Sequence, residues 1–176
     1  MRTVRDAIDA HAAARPDAPC IVAPEADAIL TYGELRRGAT ALGAYLAQQG
    51  IAPGAVVSFM LPNGIAAASV FLGAMHAGYV VSPVNLIAQD AQLEYTLAHS
   101  RTRLVFAAPE HVDRLRVLLQ RAQSAAILRA TDPDRIELTG GNDLPPAAIQ
   151  AILPCSTSTT SSLGSPSLRS SLIFHV

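Results

Sequence analysis

Four short runs of this chain, Ala55–Leu61, Tyr79–Ser82, Leu104–Ala107 and Ala125–Leu128, are apolar at almost every position rather than at every second one. A strand with one wet face alternates, whereas a strand apolar on both sides must be covered on both sides. The runs therefore predict a parallel sheet held between two layers of helices. The segments between them have helical spacing, as parallel crossovers require. The fold class expected is α/β: a three-layer unit over residues 4–130, with a mostly parallel sheet of at least four strands and helices on both faces.

Local signals place the connecting elements. Thr3 with Asp6, and Thr31 with Glu34, have the spacing of a capping box, in which a hydroxyl and a carboxylate reciprocally satisfy backbone N–H groups at a helix start. Val4, Ile8 and Ala12 form one apolar face before Pro16, and Leu35, Leu42, Tyr45 and Leu46 another before Gly50. Cys20–Ala23 and Ile29–Leu30 read as a hairpin. Asp90–His99 is a short helix with Leu93 and Leu97 inward. Glu110–Gln123 is a helix built on Val112, Leu115, Leu119 and Ala122.

Residues Gly64–Val84 contain no Asp, Glu, Lys or Arg, a length that approaches a membrane span. Gly73, His76, Gly78, Ser82 and Pro83 interrupt it, so a buried helix followed by a buried strand is the expected form. Beyond Thr131 the character changes. Residues 1–131 make the alternating subdomain, 132–148 a polar linker, and 149–176 a Ser/Thr-rich tail whose only charged side chain is Arg169. Such a tail is expected to be poorly ordered, or to lack its natural partner.

A net charge of -1 and a pI near 6.5 give no basic surface for nucleic acid. Cys20 and Cys155 are isolated, and Met1–Arg15 lacks the apolar run of a secretory signal, so a cytoplasmic location with reduced thiols is expected. All thirteen basic side chains are arginine, so no step that needs a lysine amine is open to these residues. His11, His76, His99, His111 and His175 are scattered without ligand spacing, and no metal site or catalytic residue is assigned. His76 reads as a packed histidine at a helix end, and Asn85, at a strand end, as a holder of its own loop. Gly140–Asp143 reads as a turn, and Arg114, Arg116 and Arg121 as a solvated face interleaved with Glu110 and Asp113.

The order of these signals from Val4 to about Leu128 resembles the N-terminal region of the adenylate-forming (AMP-dependent) acyl-CoA synthetase and ligase family. The resemblance lies in Leu30-Thr31-Tyr32-Gly33-Glu34-Leu35, Gly50-Ile51-Ala52-Pro53-Gly54-Ala55-Val56-Val57 and Leu61-Pro62-Asn63. It continues through Gly73-Ala74-Met75-His76-Ala77-Gly78-Tyr79-Val80-Val81-Ser82-Pro83-Val84-Asn85. It implies a carboxylic acid substrate activated by ATP with Mg2+ to an acyl-adenylate, then passed to CoA.

The family's phosphate loop reads Thr-Ser-Gly-Thr-Thr-Gly-x-Pro-Lys-Gly. Its nearest counterpart here is Ser156, Thr157, Ser158, Thr159, Thr160 and Ser161, with Leu163 and Gly164 at the proline and lysine positions. The hydroxyls agree, but Ser158 and Ser161 stand where glycine would bring backbone N–H groups close to phosphate. Two readings stay open: a degenerate phosphate loop at Ser156–Thr160, or a low-complexity tail, whether by chance or from a shifted reading frame. The family's later segments, including the adenylation lysine, have no counterpart in these residues. The resemblance therefore implies a truncated N-terminal part of a ligase, inactive alone. The alternative is a non-catalytic binding or interaction module that pairs with a separate chain.

Overall fold

Thr3 opens the first helix as its spacing predicts. In the computed structural model, which describes residues 3–24, 27–133 and 143–144, the Thr3 hydroxyl accepts from the Asp6 N–H and the Asp6 carboxylate accepts from the Thr3 N–H. Helix α1 (Val4–Ala14) buries Ile8 and Ala12. Strands β1 (Pro19–Ala23) and β2 (Ala28–Thr31) form an antiparallel pair that delivers the chain to α2 (Tyr32–Gln48). Thr31 and Glu34 close the second capping box. Hydrogen bonds from the Thr31 backbone N–H and hydroxyl hold the Glu34 carboxyl below its ordinary pKa.

The chain then alternates through β3 (Val56–Met60), α3 (Ile65–Ala77), β4 (Val80–Pro83), α4 (Asp90–His99), β5 (Thr102–Ala107), α5 (Pro109–Arg121) and β6 (Ile127–Ala130). A two-residue strand, β7 (Asp143–Leu144), follows. The sheet order is β4-β3-β5-β6-β7; the first four strands are parallel and β7 runs antiparallel to β6. The α/β expectation, with four parallel strands between helical layers, therefore holds.

Side-chain alternation in β3 and β5 divides the interior in two. Val57, Phe59, Leu104 and Phe106 pack with Leu42, Leu46, Val70 and Ala74 of α2 and α3. Met60, Val105 and Ala107 pack with Leu93 and Leu97 of α4 and Leu115 and Leu119 of α5. This explains the missing period of two: both faces of the same strand are core. The buried hydroxyls of Ser58 and Thr102 satisfy each other at 2.8 Å across the β3–β5 pair.

Several details depart from the sequence reading. The last parallel strand begins at Ile127 instead of Ala125 and runs on through Arg129 and Ala130. Leu118, left off the apolar stripe of α5, is 1 % exposed. Arg114 is not simply solvated: its Nε donates to the Asp90 carboxylate at 2.8 Å and its Nη2 to the Ala88 carbonyl, tying α5 to the start of α4. β7 falls inside the range read as linker. The rest of residues 134–148, including Gly140–Asn142, and the tail 149–176 lie outside the described residues. The uncharged stretch 64–84 becomes α3 and β4, and no helix among the described residues is long and apolar enough to cross a membrane.

Two glycines let α2 and α3 approach closely. A Cβ at Gly73 would stand 3.1 Å from Leu42 Cδ2 and 3.4 Å from the Ala39 Cα, and one at Gly43 would stand 3.0 Å from the Ala77 Cβ. The expected result of Gly73→Val is a loss of about 1–3 kcal/mol from overpacking, read as a lower midpoint in urea unfolding. An unchanged midpoint would mean the helices separate without cost.

Candidate functional site

The winding of the sheet reverses at β3. The crossover through α3 places β4 on one side of it, and the crossover through α4 returns β5 to the other. Open parallel sheets bind ligands beyond the carboxyl ends of their strands near such a reversal. A cleft of about 660 Å³ lies beside that reversal, at the ends of β3 and β4. Phe59 and Leu61 form its floor, Ala67, Ala68, Phe71 and Leu72 of α3 one wall, and Pro83, Val84, Asn85 and Leu86 the other.

Local sequence explains the shape. Pro62-Asn63-Gly64 ends β3, and Gly64 leads into α3 without a side-chain cap. The parallel ladder extends past β4, where the Val84 N–H donates to the Phe59 carbonyl at 2.8 Å. Asn85 then turns the chain: its Oδ1 accepts from the Ile87 N–H at 3.0 Å. The loop-holding role read from sequence is the role it has here.

The cleft is chemically plain. Asn63 and Asn85 are its polar side chains, and among the described residues no charged one lines it. Among the described residues no group of three or more His, Cys, Asp or Glu could hold a metal ion. His76 sits at the opposite end of α3 from the cleft, in its last turn. Its Nε2 lies 2.9 Å from Asp9 Oδ1, and its carbonyl accepts from Arg5 Nε at 2.6 Å, so it joins α3 to α1 as a packed residue. His11 stacks at a tilt on Tyr32, and His99 packs on Tyr95. Cys20 is partly buried; burial raises its thiol pKa, while the Tyr32 hydroxyl and Arg15 pull it back. Cys155 and the candidate phosphate loop Ser156–Thr160 lie outside the described residues, as does His175.

One residue of chemical interest escaped the sequence reading. Arg129 is 2 % exposed on β6. Its guanidinium lies over the Tyr45 ring at 4.6 Å, and Nη1 donates to the Tyr45 hydroxyl at 3.1 Å. A guanidinium is tolerated in a core when its donors are used and its face is covered by a ring. A strand ending at Leu128 had placed this arginine in a loop; the signal available was its two-residue offset from Ile127, which puts both side chains on one face.

The sequence profile described as AMP-binding enzyme matches residues 8–159. Sulfoacetate–CoA ligase from Cupriavidus necator is 40 % identical over 154 residues, covering 86 % of this chain and 29 % of that protein. Among solved structures, a benzoate CoA ligase from Burkholderia xenovorans LB400 superposes with a TM-score of 0.67 at 21 % identity, over 92 % of this chain and 31 % of its own, a likeness of fold. VinN in complex with 3-methylaspartate matches with a TM-score of 0.62 at 31 % identity, over 66 % of this chain and 32 % of its own. The chain thus spans about a third or less of the length of these relatives.

Arg129→Ala is expected to lower unfolding free energy by about 2–5 kcal/mol, the range for emptying a filled core position, and Arg129→Lys to recover only part, because the planar stack is lost. Urea titration distinguishes them. Asn85→Ala is expected to cost no more than about 0.5–1.5 kcal/mol, a single lost hydrogen bond, yet to speed amide exchange at Ile87. Unchanged exchange there would remove Asn85 from its loop role.

Proposed function

This chain belongs to the AMP-binding enzyme family, and from that premise we propose that it forms the N-terminal, substrate-side part of a carboxylate–CoA ligase and performs no ligation by itself. The observation that carries this reading is one of extent: a match covering 86 % of the chain accounts for only 29 % of a CoA ligase. In the family reaction ATP, with Mg2+, converts a carboxylic acid to its adenylate and pyrophosphate, and CoA takes the acyl group.

The residues at hand do not fit ATP. An uncharged cleft and a chain without lysine offer no ammonium to neutralise a triphosphate. No step is therefore assigned through the nucleotide or its metal. Ser156–Thr160 keep the hydroxyls of a phosphate loop, and the family match extends as far as Thr159. With serine in place of glycine, we read this loop as unable to hold ATP productively. What the chain supplies is a scaffold: the apolar cleft at the ends of β3 and β4 forms one wall, suited to an uncharged acyl or aryl group. A place in fatty acid or aromatic acid activation, in the cytoplasm, accords with this reading.

A second reading, a module that pairs with a separate chain, is favoured by the exposure of Met75 and Val80 on an otherwise apolar segment.

The test is acid-dependent exchange of pyrophosphate into ATP by the purified chain, over a panel of sulfoacetate, benzoate and fatty acids. A full-length ligase of the family serves as the positive control. No exchange above background is expected. Robust exchange that survives repurification and needs the acid would overturn the proposal and make the chain an enzyme in its own right.

A further inference from the structure

We infer that Arg114 is a positioning residue of the apolar cleft: from α5 it fixes the loop that forms one of the two cleft walls. The inference rests on the reading of that cleft as a seat for an uncharged acyl or aryl group, and names a residue that sets its width. The two walls belong to opposite layers of the fold. Ala67 of α3 packs into the core shared with α2, whereas Val84 and Leu86 belong to the core of α4 and α5. The gap between the walls therefore depends on where the loop 84–89 rests against the second layer.

Bonds within the loop are short in range. The Val84 N–H reaches the Phe59 carbonyl, Asn85 Oδ1 accepts from the Ile87 N–H, and the Asn85 carbonyl accepts from the Ala88 N–H at 3.3 Å. These shape the turn without tying it to a helix. Arg114 supplies that tie. Its Nη2 donates to the Ala88 carbonyl at 2.6 Å, and Nε and Nη2 lie 2.8 and 2.7 Å from Asp90 Oδ1. One planar fork thus grips the end of the loop and the first residue of α4 together, a geometry that a lysine cannot copy. The gripped carbonyl stands two residues beyond Leu86, which lines the cleft.

The pair is partly open to water, with the Arg114 side chain 32 % and the Asp90 side chain 57 % exposed. An ion pair so exposed adds little to global stability. Its loss is expected to loosen the loop and spare the fold, which separates a positioning role from a merely structural one.

The test uses the whole chain and N-phenyl-1-naphthylamine, an uncharged apolar dye that fluoresces on leaving water. Arg114→Met keeps the apolar stem and removes every donor, while Arg114→Lys keeps the charge. Arg121→Ala changes an exposed arginine in the last turn of the same helix. Ala68→Phe fills the cleft and reports whether the dye sits there. Urea midpoints and residue-resolved amide exchange accompany the titrations. The expected result is binding by the wild type, about a tenfold loss with Ala68→Phe and roughly a fivefold loss with Arg114→Met, as a less preorganised wall binds more weakly. Arg114→Lys recovers part of that loss, and Arg121→Ala changes nothing. Exchange at Ile87 and Ala88 quickens in Arg114→Met while the urea midpoint barely moves. Wild-type affinity in Arg114→Met, or unchanged exchange at both amides, would overturn the role of Arg114 and leave the cleft reading intact. A variant that fails to fold, or exchanges faster throughout the sheet, would make Arg114 a residue of general stability and overturn that role too. No binding by the wild type, or binding that Ala68→Phe leaves unchanged, would overturn the apolar-wall reading and the inference with it.

Discussion

The structure depends on burying β3 and β5 from both sides. Val57, Phe59, Leu104 and Phe106 reach one helical layer, while Met60, Val105 and Ala107 reach the other. Neither layer can be removed without uncovering half of the same strands, so the two cores stand or fall together. The Ser58–Thr102 pair lies at this junction, and its mutual hydrogen bond lets two hydroxyls sit where water is excluded. The reversal of winding at β3 follows from the same arrangement, and the cleft lies beside it at the ends of β3 and β4.

Contacts between helices reinforce that arrangement by different means on each side. The α2–α3 crossing relies on absent side chains at Gly43 and Gly73, which let the backbones close in. The α4–α5 layer is held by leucines and by Arg114 bridging to Asp90 and the Ala88 carbonyl. Arg129 is a third device: a buried cation whose ring contact and hydrogen bond to Tyr45 join β6 to α2.

A family assignment and a functional assignment have separate footings here. Membership follows from a match that runs from residue 8 to residue 159. Function is a separate matter: no charged residue lines the cleft among the described residues, the sequence has no lysine, and the shared region is 29 % of the matched CoA ligase. Adenylation needs fixed positive charge around a triphosphate, which is the ground on which the scaffold role is proposed.

Much of the architecture is legible in the amino-acid sequence. Capping boxes at Thr3 and Thr31 fixed two helix starts, because their signal is local and lies within four residues. The unbroken apolar runs required a sheet covered twice, because hydropathy directly records burial. The loop role of Asn85 was legible for the same local reason. Only tertiary structure decided the strand order, the closeness of α2 to α3, the inclusion of Arg129 in the core and the exposed side of α3. Each depends on a neighbour distant in the chain, such as Tyr45 for Arg129, 84 residues away. Sequence pattern reports which side chains avoid water, but not which partner removes them from it; that choice is made by packing.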